Sequence, residues 1–250
     1  MEMTRLEQRL MGLFKDGDVV TIGNLYRLNK LLRLAEKSTI KEVSFRLVKK
    51  GILVRLRRGR YLVVKMPENR DALKIANHIF DGYIALTSAL FVYGYNQTKS
   101  FVVWGTTSSR KEIRKVGEYT YVALPMGKLV FGSIYLNGYR VSTRAKTLFD
   151  CVYNIHYVED LGPLMNLIHD MKEEDFSELL GYLRPVRNSS LIQRIGFILE
   201  KAGASKETLS EIRKLSGKSV VGLDKKIKRH LRYDRDWKVF DNINIDRFLR

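Results

Sequence analysis

One cysteine, four prolines, four histidines and no long apolar run bound what this 250-residue chain can be. A lone thiol, Cys151, cannot close an intramolecular disulfide, which fits a reducing compartment. Its setting, TLFDCVYN, is an apolar helical run, so Cys151 reads as a buried structural thiol and not as a nucleophile. So few prolines argue against long disordered linkers. No window approaches 18 consecutive apolar residues, so nothing is expected to span a membrane. The segment MEMTRLEQRLMGLF mixes charges every few residues and does not read as a signal peptide. A cytoplasmic protein with no membrane contact is expected.

Catalytic motifs are also scarce. None of His78, His156, His169 and His230 stands in HExxH, HxH or a cysteine-rich setting, so neither a metal nor another cofactor is expected. GxSxG, GxxxxGK[ST] and GxGxxG do not occur, and no catalytic residue is assigned. A metal-assisted nuclease would need carboxylates beside a lysine. Asp236-Trp237-Lys238 and the pair Lys146/Asp150 offer that composition, but four-residue spacing on a helix first means an intrahelical ion pair.

What the chain does have is positive charge, unevenly placed. The formal net charge is +18, from 45 Lys and Arg against 27 Asp and Glu. Residues 1–65 hold 16 of these cations against 6 anions, whereas residues 157–250 hold 18 against 15. More than half of the excess therefore sits in the first quarter, the kind of local field that attracts a polyphosphate backbone.

Within that quarter the segment Thr39 to Lys65, TIKEVSFRLVKKGILVRLRRGRYLVVK, reads as a basic helix followed by a basic hairpin. Thr39 and Glu42 have the spacing of a capping box. Ile40, Val43, Leu47 and Val48 form one apolar stripe, and Gly51 ends the helix. Ile52–Arg57 and Arg60–Lys65 are strand-like runs joined by the tight turn Arg58-Gly59. Two further helices precede it, Arg5–Phe14 and Thr21 to about Ala35, which is the element order of a winged helix-turn-helix. A polar break at 65–69 sets a boundary between a domain of residues 1–66 and a second of residues 67–250, with a subdivision near 157.

The expected DNA-facing residues follow from that reading. Lys41, Ser44 and Phe45 are placed for base edges, Phe45 through a thymine methyl. Arg46, Lys49 and Lys50 are placed for phosphates. Arg55 and Arg57 are expected to share one face of the first wing strand, and Arg58 and Arg60 flank the turn. A solvated face of a protein-interaction module is the competing reading of the same residues.

Beyond residue 66 the patterns predict helices over 71–80 and 85–93, then short runs (FVVWG, YTYVALP, LVFGSIYL, YRVS) suggesting a small antiparallel sheet. Asn137-Gly138 is a hairpin signal. A helix over 143–153 and three or four more to about 216 precede a short strand-like end. The fold class is α+β: a winged helix, then a mixed domain with a helical C-terminal part. Thr87-Ser88 reads as a helix cap. The aromatics Phe101, Trp104, Tyr119, Tyr121, Phe131, Tyr135 and Tyr139 serve equally as core or as an RNA-stacking platform. Lys225, Lys226, Lys228 and Arg229, in a stretch of helical length, are a second candidate contact for nucleic acid or a partner, or a solvated face.

The segment Tyr83-Ile84-Ala85-Leu86-Thr87-Ser88-Ala89-Leu90, with Tyr93-Gly94 after it, resembles the YIS-x-x-SAL signature of the AbiEi family of antitoxins. The wing RRGRYLV, the run VSTRAKTLFD over Val141–Asp150, and Asp236-Trp237-Lys238-Val239 before Asn242 are similar to further family segments in the same order. Ala145 stands where the family commonly has Glu. The resemblance implies the repressor half of a type IV toxin–antitoxin, or abortive-infection, system. Such a protein binds inverted repeats upstream of its own operon as double-stranded operator DNA, with a homodimer on DNA among the expected assemblies. Its C-terminal domain is implied to counteract a nucleotidyltransferase-like toxin without a stable complex. A nuclease targeted by the winged helix and an adaptor whose basic wing docks an acidic partner stand as alternatives.

Overall fold

In the computed structural model, residues 3–33, 37–64, 71–97, 100–228 and 231–249 are described, the side chains of residues 37 and 38 excepted. The chain starts with α1 (Arg5–Met11), β1 (Val19–Thr21), α2 (Ile22–Leu32) and α3 (Lys37–Lys49), followed by β2 (Leu53–Arg57) and β3 (Arg60–Val63). These strands form a sheet in the order β1-β3-β2. This is the winged helix-turn-helix arrangement, with β1 an addition to the expected elements. Side-chain oxygens of Thr4 and Thr21 cap α1 and α2 through complete capping boxes with Glu7 and Asn24. The box expected from Thr39 and Glu42 does not form, because α3 already runs from Lys37 and leaves Thr39 inside it.

Leu53, Tyr61 and Val63 face the cluster that holds Leu10, Leu25, Ile40, Val43 and Leu47. Val54, Leu56, Leu62 and Val64 face the other way and pack with Ala72, Ile75 and Ile79 of α4 (Ala72–Ile79). Both faces of the small sheet are thus covered, which explains the unbroken apolar run Tyr61-Leu62-Val63-Val64. The expected break at 65–69 lies outside the described residues.

The second part continues with α5 (Leu86–Val92), β4 (Val102–Thr107), β5 (Glu112–Val116), β6 (Tyr119–Pro125), β7 (Ser133–Leu136), β8 (Tyr139–Ser142) and α6 (Arg144–Tyr153). Then come α7 (Gly162–His169), α8 (Glu173–Leu183), α9 (Ser189–Lys201), α10 (Lys206–Leu215), β9 (Val221–Gly222), β10 (Arg232–Asp234) and β11 (Val239–Asp241). The architecture is α+β, but its main sheet is mixed and not antiparallel. Its order is β4-β6-β5, with β4 parallel to β6 and β5 antiparallel to it. The unexpected strand β5, EIRKV, accounts for this: the chain reverses into β5 and again into β6, so β6 runs in the direction of β4. Ile84 bridges Gly105 and Val141, joining this sheet to the β7–β8 hairpin. Asn137 and Gly138, both at positive φ, make the tight turn of that hairpin.

One apolar cluster runs from Tyr83 through α6, α7 and α9 to Trp237 and Ile245, so the subdivision expected near 157 has no counterpart in the packing. Cys151 is buried within it, and burial holds its thiol well above the ordinary range. Gly196 of α9 lies against the ring of Trp237, where a Cβ would stand 2.1 Å from a ring carbon.

At the centre of this cluster Lys146 and Asp150, both fully buried, form the expected i,i+4 ion pair. The Lys146 ammonium also lies 4.4 Å from the ring centroid of Phe149 and 4.9 Å from that of Phe131. Burial pushes the lysine down and the aspartate up, and the charge of each opposes the shift of the other. Asp150→Ala, which strands the lysine, is expected to cost about 3–5 kcal/mol in urea unfolding. Joint replacement by Lys146→Met and Asp150→Leu is expected to cost much less than the single change.

Candidate nucleic-acid interface

The position of α3 is set by a carboxylate on α1. Glu7 is fully buried, and its carboxylate accepts from three partners at once. Its Oε2 takes the backbone N–H of Thr4 at 2.8 Å and the Lys50 ammonium at 2.6 Å. Its Oε1 takes Arg46 Nε at 3.2 Å. Burial alone would raise this carboxyl, but the bonds from Lys50, the Thr4 backbone and Arg46 outweigh it and hold the group at about 2. The last two turns of α3 are therefore clamped to the first turn of α1.

This clamp corrects two of the expected contacts. Lys50 is nearly enclosed, its side chain 10% exposed, and its charge is committed to Glu7. Ser44 is also buried, and its hydroxyl donates to the Ile40 carbonyl at 2.8 Å, so it cannot reach a base. The residue falls on the apolar stripe one turn after Ile40, where its small size lets the helix pack closely. Arg46 is half exposed, bound to Glu7 and 3.9 Å from Glu42.

What remains on the open side of α3 is a stripe of Lys41, Phe45 and Lys49, at i, i+4 and i+8. Phe45 is 61% exposed, uncommon for an aromatic side chain, and the Lys49 ammonium lies 4.9 Å from its ring centroid. Glu42 stands beside this stripe with its side chain 72% exposed. The spacing of Thr39 and Glu42 suggests a cap, but Glu42 is a surface group. A carboxylate there can accept from cytosine N4, as the lysines can donate to guanine.

The wing is less open than expected. A bulge between Arg55 and Arg57 breaks the alternation that would have put both on one face. Arg57 is half-buried and lies 3.9 Å from Glu112 on β5. Arg60 is exposed, and its charge, after burial, helps hold His78 of α4 below its ordinary range. Arg55 and Arg58 are exposed on the strand and the turn. The turn itself is pinned, since Gly59, at φ +71°, accepts the N–H of Ile22 at 2.8 Å. The arginines of the wing are thus divided between open surface and the boundary with the second domain.

Elsewhere the expected residues separate further. Thr87 and Ser88 cap nothing: α5 starts without a side-chain cap, and Ser88 Oγ instead accepts the N–H of Trp104 at 2.9 Å. Residues 225–228 form a turn and loop and not a helix; Lys225, Lys226 and Lys228 are exposed there, and Arg229 lies outside the described residues. The side chain of Asn242 causes this. It accepts the N–H of Asp224 at 2.9 Å and donates to the carbonyls of Asp224 and Ile227 at 2.6 and 2.7 Å, which replaces helical bonding. Of the sheet aromatics, Tyr119 and Tyr121 are buried, whereas Phe101 and Tyr135 are 59% and 77% exposed.

The nuclease alternative loses its Lys146/Asp150 candidate, which is enclosed and self-paired. Among the described residues no group of three or more His, Cys, Asp and Glu side chains is arranged to hold a metal ion. No helix among them is long and apolar enough to cross a membrane.

No protein-family model and no curated protein matches the chain. Among solved structures, it is similar to the Rv2827c protein from Mycobacterium tuberculosis, with a TM-score of 0.59 and 14% identity. That match covers 94% of this chain and 89% of the other. At this identity the likeness concerns the fold alone.

Glu7 supplies the test of the clamp. Glu7→Gln removes the carboxylate that the enclosed Lys50 and Arg46 bind and is expected to cost roughly 3–5 kcal/mol. Because the folded carboxyl is held at about 2 against an ordinary 4.5, its contribution is complete above pH 4.5 and lost as pH falls toward 2. Urea titrations of both proteins between pH 7 and pH 2 are expected to converge at the acid end.

Proposed function

We propose that this protein is a DNA-binding autorepressor and antitoxin of the AbiEi type. The observation that carries the DNA-binding part is the stripe Lys41, Phe45 and Lys49 on a helix fixed by a buried ion cluster. It combines phosphate-seeking cations with an apolar group for a thymine methyl, on the helix that enters the major groove in winged helix-turn-helix proteins. Arg46, Arg55 and Arg58 add phosphate contacts at the edges. Arg57 contributes less, because it is half-buried beside Glu112.

The antitoxin part rests on the order of the family-like segments. Three of them occupy structural positions in the second domain. Ile84 joins two parts of the sheet, Lys146 and Asp150 form the buried pair, and Trp237 and Asn242 hold the C-terminal strands. These residues support a scaffold, and they leave the route of toxin neutralisation to surface groups. Co-expression with the product of the adjacent open reading frame tests this part: a nucleotidyltransferase-like neighbour whose growth arrest the protein relieves is the expected result.

For the repressor part, gel shifts with upstream and random duplexes at several salt concentrations are decisive. Preference for the upstream duplex is expected, with log K falling linearly against log salt. Lys49→Ala is expected to reduce the slope by about one. Lys41→Ala and Phe45→Ala are expected to cost about 1–3 kcal/mol of discrimination between bases, whereas Ser44→Ala leaves preference unchanged. Equal affinity for both duplexes would defeat the repressor reading.

A further inference from the structure

A second surface, remote in sequence from α3, gathers aromatic rings and uncompensated cations. Its hub is Tyr157, just after α6. The Lys111 ammonium donates to the Tyr157 hydroxyl at 3.0 Å and lies 4.9 Å from its ring centroid. The Lys226 ammonium lies 5.2 Å from the same centroid. Neither lysine forms an ion pair among the described residues. The ring of Trp104 lies 5.0 Å from that of Tyr157, and the ring of His156 lies 3.9 Å from it.

This hub borders a groove of about 470 Å³ lined by Thr87, Ser100, Phe101, Trp104, Tyr157 and Pro163. Its rings come from two separate stretches and are held from beneath. Ser88 fixes the backbone of Trp104, and Asn242 fixes the loop that carries Lys226. His156 shares this field: burial, and then Lys226, Lys225 and Lys111, hold it below its ordinary range, with Asp224 opposing. Holding like charges against one ring is unfavourable unless an anion shares the site.

Carboxylates also line the groove. Asp160 already accepts the N–H of Gly162 at 2.8 Å, and Glu159 is exposed. A carboxylate repels a phosphate but accepts from the amino groups of cytosine. The groove therefore gathers aromatic rings and carboxylate acceptors, with two ammonium groups against Tyr157 at its rim, and these suit the ring, the exocyclic amine and the phosphate of one nucleotide.

We propose that this groove binds single-stranded nucleic acid, with a base stacked on Trp104 and Phe101 and its phosphate held between Lys111 and Lys226. A duplex cannot use it, because the base must be unstacked to reach the rings. The site does not depend on α3, so it stands or falls separately from the repressor reading.

The test exploits tryptophan placement. Of the two tryptophans, Trp237 is buried and Trp104 lines the groove, so a base stacking there quenches Trp104 emission. The full chain is titrated with eight-nucleotide oligo-cytidine, oligo-deoxycytidine and mixed-sequence RNA, and with a duplex. Saturable quenching by the single strands and none by the duplex is expected. A preference for RNA over DNA would assign the site to RNA through the 2′-hydroxyl, and equal affinity would assign it to base and phosphate alone. In anisotropy titrations the exposed-residue variant K111A/K226A is expected to lose about tenfold in single-strand affinity, with unchanged thermal unfolding. Phe45→Ala is expected to keep it. Absence of quenching, equal quenching by duplex, or wild-type affinity in K111A/K226A would overturn the proposal.

Discussion

The carboxylate of Glu7 is the constraint on which the N-terminal surface depends. A buried anion that binds its own helix's N-terminus, Arg46 of α3 and Lys50 just after α3 fixes the axial rotation of α3. Rotation decides which side chains face outward, and one helical step is about 100°. With Arg46 and Lys50 drawn inward, Lys41, Phe45 and Lys49 are turned out together. A cation count along α3 alone would have assigned all its lysines to the same role. The ion cluster divides them into those that hold the helix and those that are free to meet another molecule.

The same division of labour runs through the wing. Its sheet is apolar on both faces because α4 covers the side that α3 does not. Arg57 and Arg60 consequently stand at the boundary between the two parts of the molecule, near Glu112 and His78. A sheet buried on both sides and a turn bonded to the start of α2 make the wing a rigid bracket more than a free finger. The chain's positive charge is thus used twice, once for internal attachment and once for display.

Much of this was legible beforehand. The stripe Ile40, Val43 and Leu47 announces the buried face of α3, and Asn137-Gly138 announces its hairpin. Ser44 was misplaced although its position one turn from Ile40 puts it on that same face. Thr4-x-x-Glu7 has capping-box spacing, but nothing local shows that Glu7 also binds residues some forty positions later. The strand EIRKV was missed because an edge strand carries charges in alternation with few apolar residues. With it went the direction of β6, hence the expectation of an antiparallel sheet. The basic run after Asp224 has helical composition, and only a distant side chain, Asn242, turns it into a loop. In each case the deciding contact is long-range, which local patterns do not encode. The groove around Tyr157 has the same origin, since its parts lie far apart in the chain.

The display of the α3 stripe is tested most directly by photocrosslinking. A benzophenone-bearing phenylalanine is placed at position 45 in one protein and at position 135, an exposed site on β7, in another. Each is irradiated with the protein's own upstream duplex. The account predicts a crosslink to the duplex from position 45 and none from position 135. No crosslink from position 45, or equal yields from both, would contradict it.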